Sequence, residues 1–196
     1  MPVAGVIFDL DGTLIDSGLD FDQMRQEMNL PPGMPILEEL AGLPDGPHLQ
    51  HCLRVLAQHE RAGAMRASLM PGVRAALDEL IRLQLRLGIL TRNSRDMTRL
   101  TLERLDLHFT HIMTRDDAPP KPDPAGLLAI SGQWGVRPAE ILFVGDYLFD
   151  LQAGRQAGMA TVLYAPNGRP PYADEADHVI DHFSQLPALL HASKSA

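Results

Sequence analysis

Residues 6–13 read Val-Ile-Phe-Asp-Leu-Asp-Gly-Thr. An apolar run breaks off at Asp9, Asp11 follows two residues later, and Gly12-Thr13 closes the segment. A buried strand that ends this way delivers two carboxylates where the chain leaves a sheet. Open α/β sheets bind ligands there, outside the carboxyl ends of their strands. Carboxylates are costly to bury without a counter-charge, and a metal ion is the simplest one. The alternative is an Asp-Gly hairpin. Such a turn returns at once to a second strand, and none is legible after Thr13.

Three further segments share the layout. Residues 85–90 form an apolar run ending in Thr91-Arg92-Asn93-Ser94. Residues 140–145 contain Ile-Leu-Phe-Val and end in Asp146, with Asp150 four residues on. Lys121-Pro122-Asp123-Pro124 lies between them. Two Asp pairs, a Thr and a Lys supply what phosphoryl transfer needs. They offer a nucleophile, a metal cage, donors for phosphate oxygens and a cation.

With these segments in view, the chain resembles the haloacid dehalogenase-like hydrolases, in the branch of phosphoglycolate phosphatase-like proteins. The resemblance rests on Asp9-Leu10-Asp11-Gly12-Thr13, Leu90-Thr91-Arg92-Asn93, Lys121-Pro122-Asp123-Pro124 and Gly145-Asp146-Tyr147-Leu148-Phe149-Asp150. They occur in the family's order and span nearly the whole chain.

The strand candidates are residues 3–10, 85–91, 111–114, 141–145 and 161–165, with a short sixth at 178–180. Helix candidates alternate with them. Val73, Ala76, Leu77, Leu80, Ile81 and Leu83 recur at helical spacing after Pro71-Gly72. Ser94 is read as the N-cap of a helix carrying Met97, Leu100, Leu102 and Leu105. Asp123 is read as an N-cap with Pro124 at the first helical position and Leu127, Leu128 and Ile130 on the apolar face. Gly158 is a helix stop. Strands alternating with helices imply a doubly wound, Rossmann-like parallel sheet, an α/β fold.

Residues 16–69 break the alternation and show no good strand. Phe21, Met24 and Met28 suggest one short helix, and Ile36, Leu37 and Leu40 a second. Leu49, Leu53, Leu56 and Ala57 suggest a longer third. The expected organisation is an α/β catalytic core, residues 1–16 and 70–196, with a small all-helical cap at 17–69. The resembled family carries a substrate-gating cap at this place; hinges are expected at Ser17-Gly18 and Pro71-Gly72. The other reading is that these helices extend the core. His48, His51 and Cys52 share helical spacing, and a solvated face is expected there rather than a metal site.

With 196 residues, 45% of them apolar, the chain can bury one good-sized core or a core plus a small insert. A net charge of −8 argues against a nucleic-acid surface. Positive field for a phosphate must then be local, from a metal, Lys121, Arg92 or helix N-termini. Cys52 is the single cysteine, so no internal disulfide can form. No signal segment is legible ahead of the first strand, and no apolar run reaches about 18 residues. A cytoplasmic protein without membrane or nucleic-acid partners is expected. The oligomeric state is not legible.

The resemblance implies roles residue by residue. Asp9 is the expected nucleophile and Asp11 the general acid and base. Mg2+ is the expected cofactor, held by Asp9, the backbone carbonyl of Asp11, and Asp146. Asp150 is expected to act through water or to orient Lys121; a solvent-facing helix position is its alternative. Thr13, Thr91, Arg92, Asn93 and Lys121 are expected around the phosphate of a small phosphorylated metabolite. Tyr147 stands where the family often has Ser or Thr, and no catalytic role is assigned to it. The function so implied is a Mg2+-dependent phosphatase that passes through an aspartyl-phosphate. A phosphomutase of the same fold is the second enzyme reading. A receiver-like module that only holds phosphate is the non-enzymatic one.

Overall fold

The computed structural model of the chain describes residues 3–192. In chain order it begins with β1 (Gly5–Phe8), β2 (Ile15–Asp16), α1 (Phe21–Glu27), α2 (Ile36–Gly42), α3 (Pro47–Arg66) and β3 (Ser68–Leu69). Next come α4 (Val73–Arg82), β4 (Arg86–Leu90), α5 (Arg95–Arg104), β5 (His111–Met113), α6 (Ala125–Trp134) and β6 (Ile141–Gly145). The last elements are α7 (Leu148–Ala157), β7 (Ala160–Tyr164), β8 (His178–Ile180) and α8 (Leu186–Ala192). The chain divides into two compact units: Met1–Asp16 with Ser68–Ala196, and Ser17–Ala67.

In the first unit six strands form one parallel sheet in the order β5-β4-β1-β6-β7-β8. The chain moves outward from β1 to β4 and β5, then returns to β6 on the other flank of β1. The direction of winding therefore reverses at β1, where such sheets open a crevice. Register matters here. Phe8 pairs with Ile89 on one side and Val144 on the other. Asp9, Thr91 and Asp146 thus leave three neighbouring strands at nearly one level.

The central strands are apolar on both faces because helices cover both. Ile7 and Phe143 pack with Leu127, Ile130, Trp134 and Ala153 of α6 and α7. Phe8 points the opposite way, as the period of two demands. It meets the ring of Phe183 at 6.5 Å, and Phe183 meets Tyr164 at 4.8 Å.

Several local expectations need correction. The first strand stops at Phe8 rather than Leu10, because the Leu10 carbonyl accepts the N–H of Leu14 at 2.9 Å and starts a turn. A strand does follow Thr13: Ile15–Asp16 pairs antiparallel with Ser68–Leu69. Two residues a side are too few to show a period in sequence. Ile81 and Leu128, expected on apolar helix faces, are 58% and 43% exposed. On α5 the buried residues are Thr98, Thr101 and Leu102, so two threonines take core positions. Helix α6 begins one residue later than expected, after Pro124; Asp123 still accepts the N–H of Ala125 at 2.8 Å.

The second unit is helical. Met24, Met28, Ile36, Leu40, Cys52, Val55 and Leu56 form its core. The buried stripe of α3 runs through Cys52, Val55 and Leu56, which turns Leu53 and Ala57 outward. Cys52 is buried, not on a solvated face; its Sγ lies 3.5 Å from the Met28 carbonyl. At the other end of α3, the Arg66 guanidinium donates to the carbonyls of Ser17 and Gly18. That contact joins the first and last turns of the unit. Among the described residues no helix is long and apolar enough to cross a membrane.

Candidate active site

Lys121 is 3% exposed, and its ammonium donates to the carboxylates of Asp9 and Asp150, the latter at 2.6 Å. The other oxygen of Asp150 accepts the N–H of Tyr147 at 3.0 Å, fixing it at the first turn of α7. Asp150 is 2% exposed, so it does not face solvent. Gly145 permits this approach, since a Cβ there would fall on the Asp150 side chain.

Asp146 completes the group. One carboxylate oxygen from each of Asp9, Asp146 and Asp150 lies within 4.8 Å of the others. Three carboxylates against one ammonium leave a charge deficit that burial makes expensive. Burial pushes the Asp9 carboxyl well above the usual carboxylate range; Lys121 pulls it back, and Asp150 and Asp146 push it further up. Burial, then the Asp150 charge, pushes Asp146 up to about 7, against the pull of Lys121 and the Thr13 hydrogen bond. Burial alone would lower Lys121, but Asp150 and Asp9 outweigh it and hold the ammonium above its ordinary range. An all-oxygen, part-buried cluster short of positive charge fits a hard divalent cation such as Mg2+.

Asp11 sits on the turn after β1, and Asn93 Nδ2 donates to its Oδ2. Gly12 has φ +80, and a Cβ there would stand 2.6 Å from Cγ of Asp146. Only glycine allows that turn and that approach together. Thr13 is fully buried and gives its hydroxyl to Asp146 Oδ1 at 3.0 Å. In this structure, then, the Thr13 hydroxyl is directed at a carboxylate.

Thr91 is buried at the end of β4, and its Oγ1 accepts the N–H of Asn93 at 3.2 Å. Arg92 donates to the Lys121 carbonyl at 2.7 Å and lies over the Phe149 ring, 5.2 Å from its centroid. The Lys121-Pro122 peptide is cis. Asp116 and Asp117 are engaged by the segment around them. Asp116 accepts the Arg95 N–H at 2.8 Å, and Asp117 accepts the Thr114 hydroxyl at 2.6 Å.

One residue of the site is absent from the sequence reading. Tyr172 lies in the loop after β7, and its hydroxyl donates to the Asp146 carbonyl at 3.1 Å. No local signal marks it, because the two positions are 26 residues apart.

The chain is similar to known proteins over most of its length. The sequence model of the haloacid dehalogenase-like hydrolases matches residues 6–164. A phosphoglycolate phosphatase of Chromobacterium violaceum is 33% identical, over 96% of this chain and 96% of its own length. The pyrophosphatase PpaX of Bacillus velezensis is 31% identical, over 94% of each chain. Among solved structures, a hydrolase from Pseudomonas syringae superposes over the full length of both chains with a TM-score of 0.77 at 26% identity.

Proposed function

The chain belongs to the haloacid dehalogenase-like hydrolase family, and on that footing we propose that it is a Mg2+-dependent phosphatase acting on small phosphomonoesters. The observation that carries the reading is the buried lysine, Lys121, held between Asp9 and Asp150 with Asp146 beside them. A lysine so placed favours the ionised form of Asp9 and so opposes burial, which favours the protonated form. It also presents positive charge where a phosphate dianion has to approach Asp9.

The chemistry is two displacements at phosphorus. A carboxylate oxygen of Asp9 attacks the phosphorus, and the bond to the leaving oxygen breaks. Asp11, oriented by Asn93, gives its proton to that oxygen. In the second step Asp11 takes a proton from water, the water oxygen attacks the phosphorus, and the bond to Asp9 breaks. Phosphate leaves, and both carboxylates return to their starting state. The Thr91 hydroxyl, the N–H groups of its loop and Lys121 serve the phosphate oxygens. Asp9, the Asp11 carbonyl and Asp146 would hold the Mg2+, which would supply positive charge beside the phosphate. Thr13 and Tyr172 fix Asp146 through its carboxylate and its carbonyl.

The unit Ser17–Ala67 is assigned the part of a cap that excludes water and selects the leaving group. The test of the whole reading is turnover. Protein supplied with Mg2+ and a small aryl phosphate should release phosphate over many cycles, and EDTA should stop it. One phosphate retained per chain, without turnover, would support a phospho-accepting module instead.

A further inference from the structure

Position 147 follows the metal-site Asp146 directly and carries a tyrosine that is 52% exposed. Its ring is not adrift. It meets Phe149 edge-to-face at 5.2 Å and 87°, and Tyr172 at 5.8 Å and 75°. Tyr172 is anchored by its hydroxyl to the Asp146 carbonyl. Phe149 is covered on one face by the Arg92 guanidinium, which in turn donates to the Lys121 carbonyl. Three rings and one cation thus form a single stack fastened at both ends to the segments that carry Asp146 and Lys121.

The stack has a consequence for the leaving group. A short anionic leaving group calls for a cation turned toward it. On this flank the Arg92 guanidinium lies over the Phe149 ring and donates to the Lys121 carbonyl. The ring of Tyr147 is half-exposed here and held at a fixed tilt by two neighbours. Rings held this way take a further ring edge-to-face or offset.

We propose that Tyr147, braced by Phe149 and Tyr172, is the specificity wall of the site and favours phosphomonoesters whose leaving group carries a flat ring. The inference rests on the phosphatase reading and names its substrate class. Tyr147 takes no part in bond making; it touches the leaving group and lowers the KM of ring-bearing substrates. Its backbone N–H, which caps toward Asp150, survives any substitution except proline.

The experiment compares phenyl phosphate with ethyl phosphate in the full chain, its Tyr147→Ser variant and its Tyr147→Phe variant, all with Mg2+. Circular dichroism and melting curves check that each variant folds. The ratio of kcat/KM for phenyl over ethyl phosphate should fall about tenfold in Y147S, mostly through KM, and hold within about twofold in Y147F. Inhibition by phenylphosphonate should weaken to a similar degree in Y147S, while that by methylphosphonate changes little. An unchanged ratio in Y147S overturns the wall, and so does a Y147F variant that loses as much as Y147S. Absence of turnover by the unaltered chain on both substrates is a different failure: it removes the phosphatase reading on which the wall rests.

Discussion

The hydroxyl of Thr13 donates to Oδ1 of Asp146 across 3.0 Å, joining the turn after the first strand to the end of β6, 133 residues later. The bond orients a carboxylate that the proposed Mg2+ needs. Groups that orient metal ligands typically contribute 10- to 100-fold in affinity. Thr13→Val keeps the shape and removes the donor. The Mg2+ concentration for half-maximal activity should rise at least about tenfold, with kcat at saturating Mg2+ falling far less. An identical Mg2+ titration would show that Thr13 does not act through the metal.

Lys121 makes the opposite kind of prediction, because its removal strands charge. Lys121→Met leaves Asp9 and Asp150 buried without their shared partner. Breaking such a pair from one side typically costs about 3–5 kcal/mol. Urea unfolding should show a loss on that scale, and phosphatase activity should disappear. Adding Asp150→Asn removes one stranded charge, so the double variant should recover part of the stability and none of the activity. A double variant no more stable than Lys121→Met would mean that the loss comes from packing instead.

Asn93 offers a test of the acid. Its amide donates to the Asp11 carboxylate. Asn93→Ala should lower kcat by about tenfold, a fraction of the 10²–10⁴ that general acid–base catalysis supplies, with little change in KM. The loss should shrink for substrates with acidic leaving groups such as 4-nitrophenyl phosphate, which need less protonation. Equal losses on alkyl and 4-nitrophenyl phosphates would take Asn93 out of the proton transfer.

The pH dependence of stability follows from Asp146. Its carboxyl sits at about 7 in the folded, metal-free protein, against an ordinary 3.8 when unfolded. Between these values the unfolded chain has released this proton and the folded chain still holds it. Stability of the metal-free protein therefore falls as pH rises from about 4 to about 7, then levels. The buried Asp9, also raised, adds to the trend in the same direction. Mg2+ binds the ionised carboxylates, so the rise in Tm that it produces should be larger at pH 8 than at pH 6. A Mg2+ shift independent of pH would contradict the assignment of Asp146 to the metal.

Much of this arrangement is legible in the sequence because its signals are local. An apolar run, then Asp-Leu-Asp-Gly-Thr, is a strand end wherever it occurs; the runs before Thr91 and Asp146 are read the same way. The alternation of runs and helical periods carries the parallel sheet. The fastenings of the site are another matter. Thr13 to Asp146, Asn93 to Asp11 and Tyr172 to Asp146 are bonds between distant positions, set by strand order and register. Nothing near Tyr172 distinguishes it from a residue in an ordinary Pro-rich turn. Helix faces are similarly imprecise. Leu53, Ile81 and Leu128 count as apolar in any pattern, yet Thr98, Thr101 and Glu60 are the residues the packing buries. The ladder of β2 and β3 is too short for any period to show.

In the proposed reaction Asp9 is phosphorylated and then released. The direct measurement is steady-state phosphate release from an aryl phosphate with Mg2+, by the unaltered chain and by Asp9→Asn, with melting curves to show that both fold. Asn has nearly the shape of Asp but cannot form the acyl-phosphate. Repeated turnover is expected in the first and a loss of at least about a thousandfold in the second. A folded Asp9→Asn variant that keeps more than a few per cent of the activity would contradict it.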